Sequence, residues 1–253
     1  MSVQRFTYPD ATVAASACGG YILDKLGEAI RGGGKASLAI SGGTSPALMF
    51  REMARQSFEW DRVHLFWVDE RAVPPTDSQS NYRMADENFI TPAGFPRSNV
   101  HRVQAELGPQ EAAERYVADI RQFFGTRESE LPRFDVIHRG VGPDAHTASL
   151  FPGEPLIDDR AGIAAAVWVE KMGQRRITLL PGVLLAARHS VVLAAGPDKA
   201  AAIQQVFGES YEPKEYPSQL GLKGDGNIVW FMDEPAASLI ERRAGPRPAA
   251  PSQ

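Results

Sequence analysis

The sequence predicts an α/β fold, a Rossmann-like layered sandwich in which a mostly parallel sheet is flanked by helices. Short apolar runs of strand type alternate with helical patterns along most of the 253 residues, as in repeated βα units. Several of these runs end directly in a glycine-rich turn that precedes a helix, which is typical of parallel strands. We therefore expect one domain over residues 1–243 and a disordered Pro- and Ala-rich tail over residues 244–253.

The first elements are a long helix, a buried strand and a second helix. Apolar residues at helical spacing predict a helix over residues 11–30, which ends at three consecutive glycines. A short apolar run predicts a strand over residues 36–41. The helix over residues 47–56 has favourable start chemistry, because Ser45 can be its N-cap and Pro46 its first residue.

The remaining elements continue this alternation. Strands are predicted over residues 63–68, 134–137, 164–169, 175–180, 191–195 and 227–232. Helices are predicted over residues 81–89, 110–124, 183–187 and 199–207. A last helix is predicted to begin at Asp233, Glu234 and Pro235 and to reach about residue 242.

Composition excludes several classes of function. The net charge of −4 argues against the broad basic surface that a nucleic-acid partner needs. Cys18 is the single cysteine, so no disulfide or thiolate metal cage can form within the chain, and a cytoplasmic location is expected. No apolar run reaches the length of about 20 residues that a membrane span requires. A monomer or a weak homo-oligomer that binds a small molecule is expected.

Two glycine turns indicate a site for a small anion. Gly42, Gly43 and Thr44 lie between a strand and a helix, so backbone N–H groups and the positive end of the helix dipole meet there. Lys199 follows a second such turn and can serve the same anion. The motifs of nucleoside triphosphate and dinucleotide sites are absent. The first turn alone is equally compatible with a phosphate site and with a tight turn that binds nothing.

A third glycine turn carries the candidate acid–base residues. Asp144 and His146 lie in the stretch from Gly140 to Gly153, directly after the predicted strand over residues 134–137. A histidine supported by a nearby carboxylate can accept a proton from water at physiological pH. Alternatively, Asp144 caps a helix and His146 is an ordinary residue of its first turn.

Charged residues also follow the strand over residues 63–68. Arg71 is the most informative of them, because a guanidinium group suits a phosphate or a developing oxyanion. The alternative is a surface ion pair between Arg71 and either Asp69 or Glu70.

Together these motifs resemble those of the bacterial-type 6-phosphogluconolactonases, over about residues 8–240. The matching segments are Ser41–Pro46, Trp67–Arg71 with Val73–Pro74 and Ser80–Tyr82, Gly140–Gly153, Arg176–Thr178, Gly196–Lys199 and Trp230–Asp233. The resemblance implies hydrolysis of 6-phospho-D-glucono-1,5-lactone to 6-phosphogluconate in the oxidative pentose phosphate pathway. It also implies a fold shared with sugar-phosphate deaminases and isomerases, and catalysis without a metal or an organic cofactor.

Each candidate residue then has an expected role. His146 would act as general base on a water molecule, Asp144 would support its imidazole, and Arg71 would face the substrate oxygens. The substrate phosphate would be held by Gly42, Gly43, Thr44, Arg176 and Lys199. An activated lactone needs only a positioned water and a base, and such proton transfers contribute about 10²–10⁴-fold.

Two departures from the family pattern affect this region. His138 and Arg139 stand where the family usually has a hydrophobic residue and leucine, and we expect Arg139 to add a contact to the anion. Ala145 stands where the family has glycine between the aspartate and the histidine. We expect a rebuilt turn with a negative φ at Ala145, since a left-handed alanine would cost roughly 1–2 kcal/mol.

Two other functions remain open from the sequence. Glucosamine-6-phosphate deaminases share the resemblance but carry an acidic residue after the histidine motif, where this chain has Ser149–Gly153. A non-catalytic sugar-phosphate sensor of a transcriptional regulator would need a DNA-binding domain, for which we expect no segment. The histidines His64, His101 and His189 lack metal-ligand spacing and are expected to be structural or at the surface.

Overall fold

The main elements of the described part of this protein are ten strands and six α-helices. The computed structural model describes residues 3–241. The strands are β1 (Gln4–Tyr8), β2 (Ala36–Ile40), β3 (Val63–Trp67), β4 (Asp69–Arg71), β5 (Val100–His101), β6 (Val136–Arg139), β7 (Ala164–Val169), β8 (Gln174–Leu179), β9 (His189–Ala194) and β10 (Asn227–Asp233). The helices are α1 (Ala11–Gly33), α2 (Thr44–Ala54), α3 (Asn81–Ala85), α4 (Pro109–Phe124), α5 (Pro181–Ala186) and α6 (Ala200–Val206).

Seven of the strands form one parallel sheet, in the order β1-β10-β9-β6-β2-β3-β5. The other three form a small antiparallel sheet in the order β4-β8-β7. The carboxyl ends of β9, β6 and β2 are neighbours in the large sheet, so the loops that follow them meet at one edge. The mostly parallel α/β sandwich predicted from the sequence is confirmed.

Side chains of β9 alternate between two cores, one on each face of the large sheet. Val191 and Leu193 lie in the larger core, which includes residues of α1, α2 and α4. Val192 and Ala194 lie in a smaller core with residues of α6 and β10. Burial of each valine or leucine side chain contributes about 1.5–3 kcal/mol. Because a shift of one residue would exchange the two faces, this alternation fixes the register of β9.

Several element boundaries differ from the sequence predictions. Strands β1, β4 and β5 were not predicted, because β4 and β5 have only three and two residues and β1 keeps a partly exposed face. Strand β6 begins at Val136 and includes His138 and Arg139, which the prediction left outside the strand.

The predicted last helix is wrong over the described residues. Residues 234–239 form consecutive turns instead. The Asp233 carboxylate accepts hydrogen bonds from the N–H groups of Ala236 (2.8 Å) and Gly196 (2.9 Å), so it closes this turn onto the loop after β9. Residue 242 and the predicted disordered tail over residues 244–253 lie outside the described residues.

The turn after β6 has left-handed backbone at Ala145, where φ is 62°. The expectation of a negative φ at this alanine is therefore wrong. Ala145 N–H donates to Gly142 O (2.9 Å) and Gly142 N–H donates to His146 O (2.9 Å), which closes the turn around the alanine. Ser218 N–H also donates to Ala145 O (2.8 Å). The surrounding contacts thus hold a conformation that costs an L-residue roughly 1–2 kcal/mol.

Replacing Ala145 by glycine should harm stability much less than the same change at a matched alanine. Ala202 is the control, because it lies buried in the same core cluster within a regular helix. Each change removes a buried methyl group, which lowers the free energy of unfolding by about 0.8 kcal/mol. Ala202→Gly also loses about 1 kcal/mol of helix propensity, whereas Ala145→Gly relieves roughly 1–2 kcal/mol of strain. Chemical denaturation should show Ala145→Gly to be more stable than Ala202→Gly, and equal losses would show that Ala145 is unstrained.

Candidate active site

A cleft of about 490 Å³ lies over the carboxyl ends of β2, β6 and β9. Open α/β sheets bind their ligands at this edge. All the candidate residues except Asp144 and Arg139 line the cleft, namely Gly42, Gly43, Thr44, Arg71, His146, Arg176 and Lys199. The structure therefore brings together residues that are up to 157 positions apart, from Gly42 to Lys199.

The start of α2 forms one wall of the cleft. Helix α2 begins at Thr44, with Gly43 as N-cap at a φ of 124° and no side-chain hydrogen bond to the first turn. The prediction of Ser45 as N-cap is therefore wrong, because the helix starts earlier than its sequence pattern indicated. The first-turn N–H groups without a side-chain cap, together with the helix dipole, favour an anion at this point. Gly43 permits a backbone conformation that L side chains rarely adopt.

Lys199 also lines the cleft and lies in the loop after β9. It ends a short 3₁₀ turn over Pro197–Lys199, and its side chain is 21% exposed. Its Nζ lies 2.8 Å from Oδ2 of Asp198. The preceding Gly196 is held by the carboxylate of Asp233 at the end of β10. This anchor keeps the lysine at the cleft.

Glu70 positions the segment that carries Arg71. Its carboxylate accepts hydrogen bonds from the N–H groups of Arg71 (2.7 Å), Asn81 (2.8 Å) and Tyr82 (2.7 Å), which links β4 to the start of α3. Burial raises the pKa of Glu70, and these hydrogen bonds oppose the shift. The Arg71 guanidinium donates to the carbonyl of Gln79. Neither Glu70 nor Asp69 forms an ion pair with this guanidinium in the described part of the chain.

Arg176 enters the cleft from β8 and pairs with an acidic residue of β4. Its Nη1 lies 4.0 Å from Oδ2 of Asp69, and both side chains are largely buried. Asp69 Oδ2 also accepts a hydrogen bond from the Ser149 hydroxyl (2.7 Å). Burial lowers the pKa of Arg176, and the charge of Asp69 opposes this shift. The small antiparallel sheet thus supplies two guanidinium groups, from Arg71 and Arg176, to the cleft.

Asp144 and His146 form a hydrogen-bonded pair, of which His146 lines the cleft. Oδ1 of Asp144 lies 2.6 Å from Nδ1 of His146, and Oδ2 lies 2.8 Å from Nζ of Lys171. The bond to His146 lowers the pKa of Asp144 well below its usual value, burial opposes this, and Lys171 adds to the lowering. The carboxylate therefore stays ionised and accepts the Nδ1 proton. This arrangement leaves Nε2 of His146 as the nitrogen with a free lone pair.

Two further contacts fix the plane of the His146 ring. The ring stacks on Phe151 with centroids 4.0 Å apart and an interplanar angle of 18°. A Cβ atom at Gly142 would lie 1.9 Å from Nδ1 of His146, so only glycine allows this close approach. His146 is therefore held between the loop after β6 and an aromatic side chain of the same motif.

Arg139 does not line the cleft. It is fully buried in β6, where its Nη2 donates to the Ser190 hydroxyl (2.6 Å) and lies 3.4 Å from Leu220 O. Burial lowers its pKa to about 10. Burial also lowers the pKa of the neighbouring His138 to about 3, so this imidazole is neutral. The expected contact between Arg139 and a bound anion has no support from this placement.

Several residues of the site region were not among the candidates. Asp69, Asn81 and Asp198 line the cleft, and each lies within a motif that the sequence had already singled out. Lys171 reaches Asp144 from the turn between β7 and β8. No sequence pattern indicates this contact, because Lys171 lies 27 positions after Asp144 and a whole strand comes between them.

The other histidines lie outside this cleft. Nδ1 of His64 is 3.0 Å from Nε2 of His101, whose Nδ1 is 3.0 Å from the Asp119 carboxylate. His189 lies at the start of β9, at the other end of the sheet. Within residues 3–241, no group of three or more His, Cys, Asp or Glu side chains is arranged to hold a metal ion. Over the same residues, no helix is both long and apolar enough to cross a membrane.

Comparison with known proteins agrees with the motifs. The model of the family described as glucosamine-6-phosphate isomerases/6-phosphogluconolactonase matches residues 9–230. A 6-phosphogluconolactonase of Nostoc sp. is 34% identical over 233 residues, which cover 92% of this chain and 96% of the relative. A 6-phosphogluconolactonase of Homo sapiens is 35% identical over 210 residues, which cover 81% and 80% of the two chains.

Solved structures extend this likeness to the fold. The crystal structure of a protein named devB superimposes with a TM-score of 0.85 at 30% identity, over 94% of this chain and 100% of that one. The resemblance drawn from the sequence motifs is thereby confirmed. The chain belongs to the family of glucosamine-6-phosphate isomerases and 6-phosphogluconolactonases.

Proposed function

We propose that this protein hydrolyses 6-phospho-D-glucono-1,5-lactone to 6-phospho-D-gluconate, with His146 as the general base. The observation that carries the proposal is the combination of an Asp-supported histidine with three cationic side chains and an open helix start in one cleft. The names of the similar proteins support the lactonase activity. A cytoplasmic location and a monomeric or weakly associating state remain predictions from the sequence.

The proposed reaction needs one proton acceptor and one site for negative charge. Nε2 of His146 takes a proton from water as the water oxygen bonds to the lactone carbonyl carbon. The carbonyl oxygen becomes an oxyanion, and Arg71, whose side chain lines the cleft, is the cation proposed to face it. The bond from this carbon to the ring oxygen then breaks, and the proton on Nε2 passes to the ring oxygen. Asp144 stays ionised and stabilises the imidazolium ion that exists between the two transfers.

The phosphate group would bind at the start of α2, in the same cleft as His146. Gly42, Gly43 and Thr44 offer backbone N–H groups at the start of α2, and Lys199 adds a positive charge. Arg176 is the second cation proposed for this group. Such contacts do not change during the reaction, so their role is to position the lactone carbonyl next to His146.

The deaminase alternative is less well supported. Ring opening of an amino sugar calls for an acidic side chain near the histidine, and the segment Ser149–Gly153 contains none. Asp69 is the carboxylate of β4 in the cleft, but it is engaged by Arg176 and by the Ser149 hydroxyl. A non-catalytic sugar-phosphate binder would use the same phosphate contacts, and an activity assay separates it from both enzymes.

Purified protein is expected to hydrolyse the 6-phosphorylated lactone at least tenfold faster than glucono-1,5-lactone at equal, subsaturating concentration, because phosphate contacts position the carbonyl. Acid release in a pH-stat, corrected for spontaneous hydrolysis, measures both rates. Addition of EDTA should leave them unchanged. Equal rates on the two lactones would remove the phosphate site from the proposal. Absence of any rate above the background would remove the lactonase activity, and ammonia release from glucosamine 6-phosphate would support the deaminase.

Two substitutions should separate binding from chemistry. Lys199→Ala should raise KM about tenfold with little change in kcat, because the phosphate contact persists through the reaction. His146→Ala should lower kcat by about 10²-fold or more with little change in KM. Lys214→Ala is the control for loss of a lysine, since Lys214 pairs with Asp158 at an exposed site. An unchanged KM in Lys199→Ala would place the phosphate elsewhere in the cleft, and full turnover in His146→Ala would exclude this histidine as the base.

A further inference from the structure

The turn that carries His146 is covered by the segment Pro217–Leu222, a 3₁₀ segment whose residues 217–221 are buried. Ser218 makes two hydrogen bonds from this segment to the turn. Its N–H donates to Ala145 O and its hydroxyl donates to His146 O, both at 2.8 Å. Two consecutive carbonyl groups of the turn are therefore held by one residue that lies 72 positions later in the chain.

We propose that Ser218 is a positioning residue that holds the strained Ala145 turn in the conformation that presents His146 to the substrate. This proposal rests on the proposed lactonase activity only in its kinetic test. A left-handed alanine persists only where neighbouring contacts over-determine it. Ser218 supplies two such contacts, one to the peptide group before His146 and one to the peptide group after it, whereas the hydrogen bonds between Gly142 and Ala145 and between Gly142 and His146 lie within the turn itself.

The Ser218 hydroxyl acts on the backbone of the proposed base. His146 O accepts one hydrogen bond from Gly142 N–H and a second from the Ser218 hydroxyl. Without the second bond, the Ala145–His146 backbone can relax away from its strained φ. Such a rotation would move the imidazole relative to Asp144, whose Oδ1 lies only 2.6 Å from Nδ1. A small displacement of the imidazole would change the direction of Nε2 relative to the water molecule of the proposed reaction.

The covering segment is anchored independently of Ser218. The Gln219 side chain donates to Ser210 O (2.7 Å), and the indole N–H of Trp230 donates to Gly221 O (2.7 Å). Ser218 N–H does not depend on the side chain, so Ser218→Ala keeps its bond to Ala145 O. Removal of the hydroxyl therefore tests its contact with His146 O while the segment stays in place.

The test combines Ser218→Ala with Ala145→Gly and follows both turnover and the ring of His146. Ser218→Ala should lower kcat about tenfold with KM changed by less than twofold, because the base is misplaced while the phosphate site is intact. In the Ala145→Gly background the same substitution should lower kcat less than threefold, because glycine at this position removes the strained residue that precedes His146. Ser37→Ala is the control, since its hydroxyl is also buried and bonds Asp135 Oδ2 (2.8 Å) at the other end of the sheet. It should leave kcat unchanged.

Nuclear magnetic resonance of the histidine ring nitrogens separates this proposal from the proposed function. Ser218→Ala should shift the His146 ring signals in the free protein, and Ser37→Ala should not. This shift is expected even if the wild-type protein shows no lactonase activity. Unchanged His146 signals, an equal loss of kcat in the wild-type and Ala145→Gly backgrounds, or a Ser218→Ala protein that fails to fold would each overturn the positioning role.

Discussion

The hydrogen bond between Asp144 and His146 is the interaction on which the rest of the site depends. It sets the tautomer of the imidazole, because an ionised carboxylate accepts the Nδ1 proton and leaves Nε2 as the acceptor. Three features of the fold accompany this 2.6 Å bond, and one of them, the left-handed backbone at Ala145, costs free energy of folding. Gly142 leaves room for the ring, Ala145 adopts a left-handed backbone, and Lys171 neutralises part of the carboxylate charge. Each of these features lies within the Asp144–His146 pair's own turn or contacts one of the two side chains.

Both sheets contribute residues to the cleft. The parallel sheet brings three glycine turns to one edge, and these supply backbone N–H groups, Lys199 and His146. The antiparallel sheet adds Arg71 and Arg176 from adjacent strands, paired directly across β4 and β8. Asp69 of β4 pairs with Arg176 of β8. A small anion can therefore meet cations from several directions, although the whole chain carries a net charge of −4.

Local sequence pattern was sufficient for the sandwich and for most of the cleft, because Gly42, Gly43, Thr44, His146 and Lys199 lie in the glycine turns that follow β2, β6 and β9. Contacts between distant segments could not be predicted in this way. The bonds of Lys171 to Asp144 and of Ser218 to His146 join elements that no periodicity relates. Ala145 and Arg139 were misjudged for a related reason. The energy of a strained turn or a buried charge depends on neighbours that only the tertiary structure supplies.

The tautomer of His146 tests the central claim most directly. Nitrogen-15 chemical shifts of the labelled imidazole distinguish a protonated Nδ1 from a protonated Nε2 in the neutral ring. Above the pH at which the ring is charged, we expect the wild-type protein to show the Nδ1–H form. Asp144→Asn should lose this preference, because an amide can donate to Nδ1 as well as accept from it. A wild-type spectrum dominated by the Nε2–H form would contradict the account, since the nitrogen that faces the cleft would then have no lone pair to accept a proton.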